Sequence, residues 1–351
     1  MTWRNAGWHG TKLIPLLGCG ALALFLTGCG VQLGSLQDQF PSAVSEGGDT
    51  LLWGPEIKPT VLSMIDRSRI FCHLTMYELG DTDVLDALWQ AQKRGVAVEV
   101  VLDAKEPHTQ SVALPFLKRH GIPYRLLSIP GGISHIKSLV TEDSSGLHAL
   151  VGGMNYGQFS WTNHDASIYI SHANPSFEGL FDADFERAGG VIEPMPPAQL
   201  PLVYDGGIEP ALLSAVAQAR HTVDIEAFAF TSRDLISALA AAVGRGVDVT
   251  VILDPHQPYN RKTARSLAAD GVHVAYYAPY ADEYLHAKIV SVDGGATVFV
   301  GSANFSWHGF AVNHEGDIEL RAVPVFGATI DADVDAQFAR GQQVTSTNAA
   351  Y

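Results

Sequence analysis

The chain repeats itself. Laid over itself at an offset of 151 residues, it stays in register without gaps from residue 51 to 137. Leu51 falls on Leu202, Ile57 on Ile208, Pro59 on Pro210 and Arg69 on Arg220. The run from Arg94 to Asp103 (RGVAVEVVLD) falls on Arg245 to Asp254 (RGVDVTVILD), and His135 and Lys137 fall on His286 and Lys288. Further on the offset slips to 149 at Asn155/Asn304 and to 150 at Asn163/Asn313, as small length changes in a hairpin loop would cause. A unit of this length is too long for a solenoid repeat and has the size of a domain. Two like domains are expected, residues 51–193 and 202–345, joined by the proline-rich linker 194–201.

Strand and helix signals alternate within each half. Helical apolar spacing (Val61, Leu62, Ile65; Leu212, Leu213, Val216) leads to a strand, Ile70–Tyr77 or Val223–Phe230. A second helix, Asp83–Arg94 or Asp234–Arg245, is read as starting at an acidic cap and ending at Gly95 or Gly246. An apolar strand then ends in Asp103 or Asp254, followed by a third helix around Gln110–His120 or Asn260–Asp270. Two more strands carry His135–Val140 and Leu147–Val151, or His286–Val292 and Thr297–Val300. The pattern is that of an α/β layered fold with a buried sheet. Cys72, in the alternation Ile70-Cys72-Leu74, reads as a core position of a strand.

The N-terminus has a different character. Arg4 and Lys12 precede the apolar run 13–27 (LIPLLGCGALALFLT), which has the length of a signal-peptide core and is short for a membrane span. It ends in Leu26-Thr27-Gly28-Cys29, which resembles a bacterial lipobox. That resemblance implies cleavage before Cys29 and lipidation of its thiol; Cys19 has a similar context but only a few apolar residues ahead of it. An exported lipoprotein is therefore expected, anchored outside the cytoplasmic membrane, with residues 30–50 as a polar tether. Losing residues 1–28 takes the charge from −15 to −17, with 20 basic against 37 acidic residues. Such an acidic body disfavours a polyanionic partner. Three cysteines make no disulfide framework.

A single His-x-Lys tripeptide means little, but here two occupy equivalent positions. Each is followed by an acid, Glu142 or Asp293, seven residues after its histidine. Each then leads through an apolar strand to Gly152-Gly153-Met154-Asn155 or Gly301-Ser302-Ala303-Asn304. Asn163-His164-Asp165 and Asn313-His314-Glu315 come after. Attack on a phosphodiester needs a nucleophile, an acid for the leaving oxygen and cations for the phosphoryl oxygens. Histidine serves in either of the first two roles near neutral pH. Lys137 and Lys288, two residues along, face the same way as their histidines and would neutralise the phosphate. Asn155 and Asn304 donate without adding charge, and Asp165 and Glu315 are placed to accept from the far ring nitrogen. Among the other nearby histidines, His164, His308 and His314 are expected as pocket or surface residues.

This doubled pattern resembles the phospholipase D superfamily, whose signature is His-x-Lys-x4-Asp followed by Gly-Ser-x-Asn. The resemblance covers residues 51–340. The second copy matches in full; the first has Glu142 for the aspartate and Gly153 for the serine. It implies two tandem phospholipase D-like α/β/α domains related by a pseudo-two-fold axis, with one active site between them. It further implies His135 as nucleophile, forming a phosphohistidine, and His286 as acid/base. Ser302 and Gly153 fall at substrate-binding positions, and Glu142 and Asp293 are structural. No cofactor is expected and no metal is signalled: His-Glu-x-x-His, paired cysteines and a calcium loop are all missing from the sequence.

The expected substrate is a phospholipid headgroup ester, hydrolysed by a monomer. The alternatives are a secreted nuclease, a cardiolipin-synthase-like transferase and a lipoprotein that binds phosphorylated ligands without turnover. Tyr276, Tyr277, Tyr280, Tyr284, Trp161 and Trp307 are candidates for an aromatic rim at a lipid surface or for stacking on bases.

Overall fold

The computed structural model describes residues 40–191 and 194–345. The leader, Cys29 and the tether up to residue 39 lie outside the described residues. In the first half the order is β1 (Val44–Glu46), β2 (Asp49–Trp53), α1 (Ile57–Arg67), β3 (Phe71–Met76), α2 (Thr82–Lys93), β4 (Ala97–Asp103), α3 (Leu114–His120), β5 (Tyr124–Leu127), β6 (Lys137–Asp143), β7 (Gly146–Gly152), β8 (Ala166–Ile170) and α4 (Ser176–Ala188). The second half runs β9 (Leu202–Tyr204), α5 (Ile208–Gln218), β10 (Thr222–Ala227), α6 (Arg233–Gly244), β11 (Asp248–Leu253), α7 (Asn260–Ala269), β12 (His273–Tyr276), β13 (Lys288–Val292) and β14 (Thr297–Gly301). It closes with α8 (Trp307–Ala311), β15 (Gly316–Arg321), α9 (Pro324–Arg340) and β16 (Gln342–Val344).

Each half builds one eight-stranded sheet, in the order β1-β2-β8-β7-β6-β3-β4-β5 or β16-β12-β11-β10-β13-β14-β15-β9. Set β1 and β16 aside and the two orders are the same permutation. In both, the three strands β3-β4-β5 or β10-β11-β12 are parallel and the rest of the sheet is antiparallel. Pairing of β3 with β4 and of β10 with β11 keeps the offset of 151. One strand later it does not. Val100 faces Tyr124 while its counterpart Val251 faces Val274, so β12 follows β5 at an offset of 150. The loop before each histidine absorbs the difference, a shift that the gap-free comparison of sequences hides.

Local chemistry sets the helix ends. The cap of α2 is Asp81, whose carboxylate accepts the N–H groups of Asp83 and Val84. Its counterpart on α6 is Ser232, which accepts from Leu235. The caps thus lie before Asp83 and Asp234, which sit inside the first turn where an acid suits the helix dipole. Gly95 and Gly246 follow these helices at φ 88°, a left-handed conformation that side chains resist.

Strand parity divides the core. On β3, Cys72, Leu74 and Met76 face α1 and α2, packing with Ile57, Val61, Leu85 and Leu88. Cys72 is fully buried and burial pushes its thiol up to about 12, so it is packing and not a reactive group. The inner faces of the two sheets meet each other. Val140, Val151 and Ile168 share one core with Ile289, Val300 and Ile318, and Phe177 of α4 and Phe326 and Ile330 of α9 flank it. Each such side chain contributes about 1.5–3 kcal/mol by burial, so the interface between the halves is as cohesive as a domain interior. All described residues belong to one compact unit. Among them, no helix is long and apolar enough to cross a membrane.

Candidate active site

The two His-x-Lys elements sit where the halves meet. Each lysine is the first residue of its strand, β6 or β13, and each histidine lies just before it, ahead of the strands that the sequence placed them on. The loops carrying the histidines are tied across the interface. His135 N–H donates to the His314 carbonyl at 2.8 Å and His314 N–H to that of Ile133 at 3.0 Å. Symmetrically, His164 N–H donates to Tyr284 and His286 N–H to His164, both at 2.8 Å. Asp103 and Asp254, at the matched strand ends, accept the N–H groups of Ser134 and Leu285 and hold the same loops from below. Each motif is therefore bonded to the Asn-His-acid tripeptide of the opposite half.

The carboxylates follow that crossing. His135 Nδ1 lies 2.8 Å from Glu315 Oε2, and His286 Nδ1 lies 2.6 Å from Asp165 Oδ2. Against an ionised carboxylate, which only accepts, the tautomer that fits is the one with the proton on Nδ1, leaving Nε2 its lone pair. Neither half contains a complete site. The two sets also feel one another: Lys137 and Lys288 both act on His135, and both act on His286.

Ser302 is placed differently from the expectation. Its hydroxyl is fully buried, donates to Glu315 Oε2 at 2.6 Å and accepts the Gly316 N–H at 3.0 Å. It supports the carboxylate and has no hydrogen left for a substrate. At Gly153 a Cβ would overlap the Asp165 carboxylate, so a serine has no room there. The first copy thus pairs a glycine with the shorter acid, and the second a serine with the longer one. What reads in sequence as a lost phosphate contact is a matched change in how the acid is seated.

Lys137 and Lys288 are buried, and each ammonium donates to the carbonyl of its own histidine. Burial pulls Lys137 down to about 7 and Lys288 to about 8, and the Lys288 charge lowers Lys137 further. Burial and the lysines hold His286 at about 4 and His135 well below its ordinary value, so both rings are neutral at pH 7. Glu315 is raised to about 7 by burial. Each lysine also lies over an aromatic ring, Tyr77 at 5.4 Å and Phe228 at 5.1 Å, and these rings pack on His135 and His286 at 5.0 and 4.8 Å. Tyr77 and Phe228 belong to no motif in the sequence, and their only mark there is that both are aromatic at positions 151 apart. The Oδ1 atoms of Asn155 and Asn304 are buried with no partner in the protein.

Such a site recruits an anion chiefly while its lysines are charged. Activity (kcat/KM) on a soluble aryl phosphodiester, whose own charge is constant over this range, is expected to fall on the alkaline side with a midpoint between pH 7 and 8. The sign follows from the lowered values: each lysine is protonated below its value and loses its charge above it. A profile flat to pH 9.5 would show that the lysines behave as exposed ones do.

The remaining candidates scatter. The Asp293 carboxylate gathers the N–H groups of Arg220, His221 and Thr222 at the start of β10, while at Glu142 it is the backbone carbonyl that receives Arg69 and Ile70. Trp161 and Tyr277 are buried, donating to Asp81 and Glu283, so they form no rim; Tyr280, Tyr284 and Trp307 stay exposed. His308 is exposed. His164 and His314 are not surface residues but buried clamps across the interface. His314 lies between Asp205 at 2.8 Å and Asp184 of α4 at 2.9 Å, which raise it to about 10. His164 lies 2.7 Å from Asp333 of α9 and 3.2 Å from Glu226, and these carboxyls raise it well above its ordinary value. Burial pushes Glu226 to about 8 while His164 holds Asp333 low, so one imidazolium faces one carboxylate and one protonated carboxyl.

Known proteins bear on this arrangement. No curated protein matches the sequence. Among solved structures, the chain resembles phosphatidylserine synthase of Haemophilus influenzae (13% identity, TM-score 0.66, covering 90% of this chain and 92% of that one). It also resembles polyphosphate kinase of Porphyromonas gingivalis (18% identity, TM-score 0.63, 86% of this chain and 49% of that one). A shorter match is Nuc of Salmonella typhimurium, a phospholipase D family member (24% identity, TM-score 0.39, 41% and 98%). At these identities the likeness to the synthase and the kinase is one of fold. The sequence model of the family described as cardiolipin synthase, PLD-like domain, matches residues 61–188 and again 212–340, one match for each half of the duplication. With both copies covered, the chain belongs to this phospholipase D-like family and folds as two tandem domains of its type.

Proposed function

We propose that the protein is a phosphodiesterase of the phospholipase D type acting on phospholipid headgroup esters. The observation that supports it best is the crossed pair of histidine–carboxylate contacts around two buried lysines. In the reaction, His135 Nε2 attacks phosphorus, the P–O bond to the headgroup alcohol breaks, and protonated His286 gives its proton to the departing oxygen. His286 then takes a proton from water, whose oxygen attacks phosphorus, breaks the P–N bond and restores His135. Resting His286 is neutral; the bound anionic substrate offsets the lysine charges, and the ring then takes up a proton from solvent water. Lys137 and Lys288 hold the phosphoryl oxygens, and the Asn155 and Asn304 amides complete the cradle. Glu315 and Asp165 fix the tautomers, supported by Ser302 on one side. No step requires a metal.

The leader and Cys29 complete the reading as an exported lipoprotein whose site meets phospholipid, and the net charge of −15 disfavours nucleic acid. The family description favours a second reading, transfer of the phosphatidyl group to an alcohol in place of water. Residues 30–351 incubated in EDTA with phosphatidylcholine vesicles, phosphatidylglycerol vesicles or single-stranded DNA separate these. Release of choline or glycerol is expected. Cardiolipin formed from phosphatidylglycerol would make the enzyme a transferase. Cleavage of DNA with inert lipid would make it a nuclease, and inertness toward all three a binding protein.

A further inference from the structure

Beside the cleft, three ligand-type side chains converge in the first half. Glu78 follows Tyr77 at the end of β3, and Glu106 and His108 lie in the loop after β4. Their ligand atoms all lie within 4.8 Å of one another. His108 Nδ1 is 3.2 Å from Glu78 Oε1 and 3.4 Å from Glu106 Oε1. Zinc bonds of about 2.0–2.2 Å at tetrahedral angles put neighbouring ligand atoms about 3.3 Å apart. The buried His164–Asp333 contact, at 2.7 Å, is by contrast a hydrogen bond with no room for an ion.

Two of the three ligands are held in advance. The Glu106 carboxylate receives the N–H groups of His108 and Thr109, and Glu78 receives the Asn155 amide. Glu106 is buried and Glu78 half-buried, while His108 is exposed, so the group opens to solvent on one side. That opening gives an ion a way in and a position for water.

The second half carries other side chains at these positions. At positions 151 further on stand Ala229, Gln257 and Tyr259, none of which repeats its ligand. The frame around them is retained: Phe228 for Tyr77, Asp254 for Asp103, Pro258 for Pro107. The second half therefore builds the same loop on the same anchors without the three donors. Two carboxylates brought together next to an imidazole have no structural counterpart there.

We propose that Glu78, Glu106 and His108 bind a divalent first-row transition-metal ion, Zn²⁺ fitting best, at the lip of the cleft. One imidazole nitrogen and two carboxylate oxygens suit Zn²⁺ better than the all-oxygen shells of Ca²⁺ and Mg²⁺. The ion is accessory: it takes no part in the phosphohistidine chemistry, and it offsets the charge of Glu78, which acts on Lys137. The binding does not depend on the reaction proposed above.

The test is titration of the chelator-stripped full-length protein with Zn²⁺ against a chromophoric competitor. One tight equivalent is expected. His108→Ala and Glu78→Gln should each weaken it at least tenfold, with thermal unfolding showing that both variants stay folded. His286→Ala should bind Zn²⁺ as the wild type does, which separates this proposal from the catalytic one. Ca²⁺ or Mg²⁺ at equal concentration should not displace the ion. Equal affinity in the wild type and His108→Ala, or no tight equivalent in the wild type, overturns the proposal.

Discussion

In the His286→Ala variant, an aryl phosphodiester is expected to release about one equivalent of phenolate in a burst, after which turnover nearly stops. An aryl leaving group departs without a proton, so losing the acid spares the first half-reaction. The second half needs a base to activate water and has lost it. The enzyme should therefore accumulate phosphorylated on His135, with steady-state kcat reduced about 10,000-fold, the scale seen when a member of a catalytic set is removed. The His135→Ala variant should show the same loss of kcat without the burst. The assignment of roles is the one that the resemblance to the phospholipase D superfamily implies. A burst from His135→Ala with the adduct on His286 would reverse the roles. Near wild-type turnover in either variant would sink the shared cleft.

Much of this site is legible in the sequence because duplication turns weak motifs into a strong one. His135, Lys137 and Asn155 gain meaning from His286, Lys288 and Asn304, and strand–helix alternation suffices for the fold class. The limits are those of one-dimensional spacing. Both Asp165 and Glu315 are visible as candidate partners, but which ring each serves depends on how the halves cross, and no offset encodes that. The Ser302 hydroxyl reads as a substrate contact because its position is known relative to Asn304 and not relative to Glu315. Trp161 and Tyr277 read as a rim because an aromatic residue in a loop carries no mark of burial. The one-residue shift between β5 and β12 is invisible since its compensation falls in variable loops.

The same limit conceals the two histidine clamps, and these carry the largest expected effect on stability. His314 belongs to the second half and Asp184 to the first; His164 belongs to the first half and Asp333 to the second. Each pair pins the tripeptide that delivers Glu315 or Asp165 to the opposite histidine. Removing one partner from a buried ion pair leaves the other charge uncompensated, which costs about 3–5 kcal/mol. His314→Gln should therefore be destabilised by that amount near pH 6. Its penalty should then shrink as pH rises. The folded value, about 10, lies above that of an unfolded histidine, so the stabilisation is complete below about 6.5 and is lost as pH climbs through 10. Lys137 and Lys288 titrate in the opposite sense over the same range, so only the difference between wild type and variant isolates the clamp. Denaturant unfolding of both proteins at pH 6, 8 and 10 measures that difference. A penalty independent of pH would mean that His314 acts through packing alone. A penalty that narrows toward pH 10 would show that the halves are held together by charge, in the same elements that aim the carboxylates of the active site.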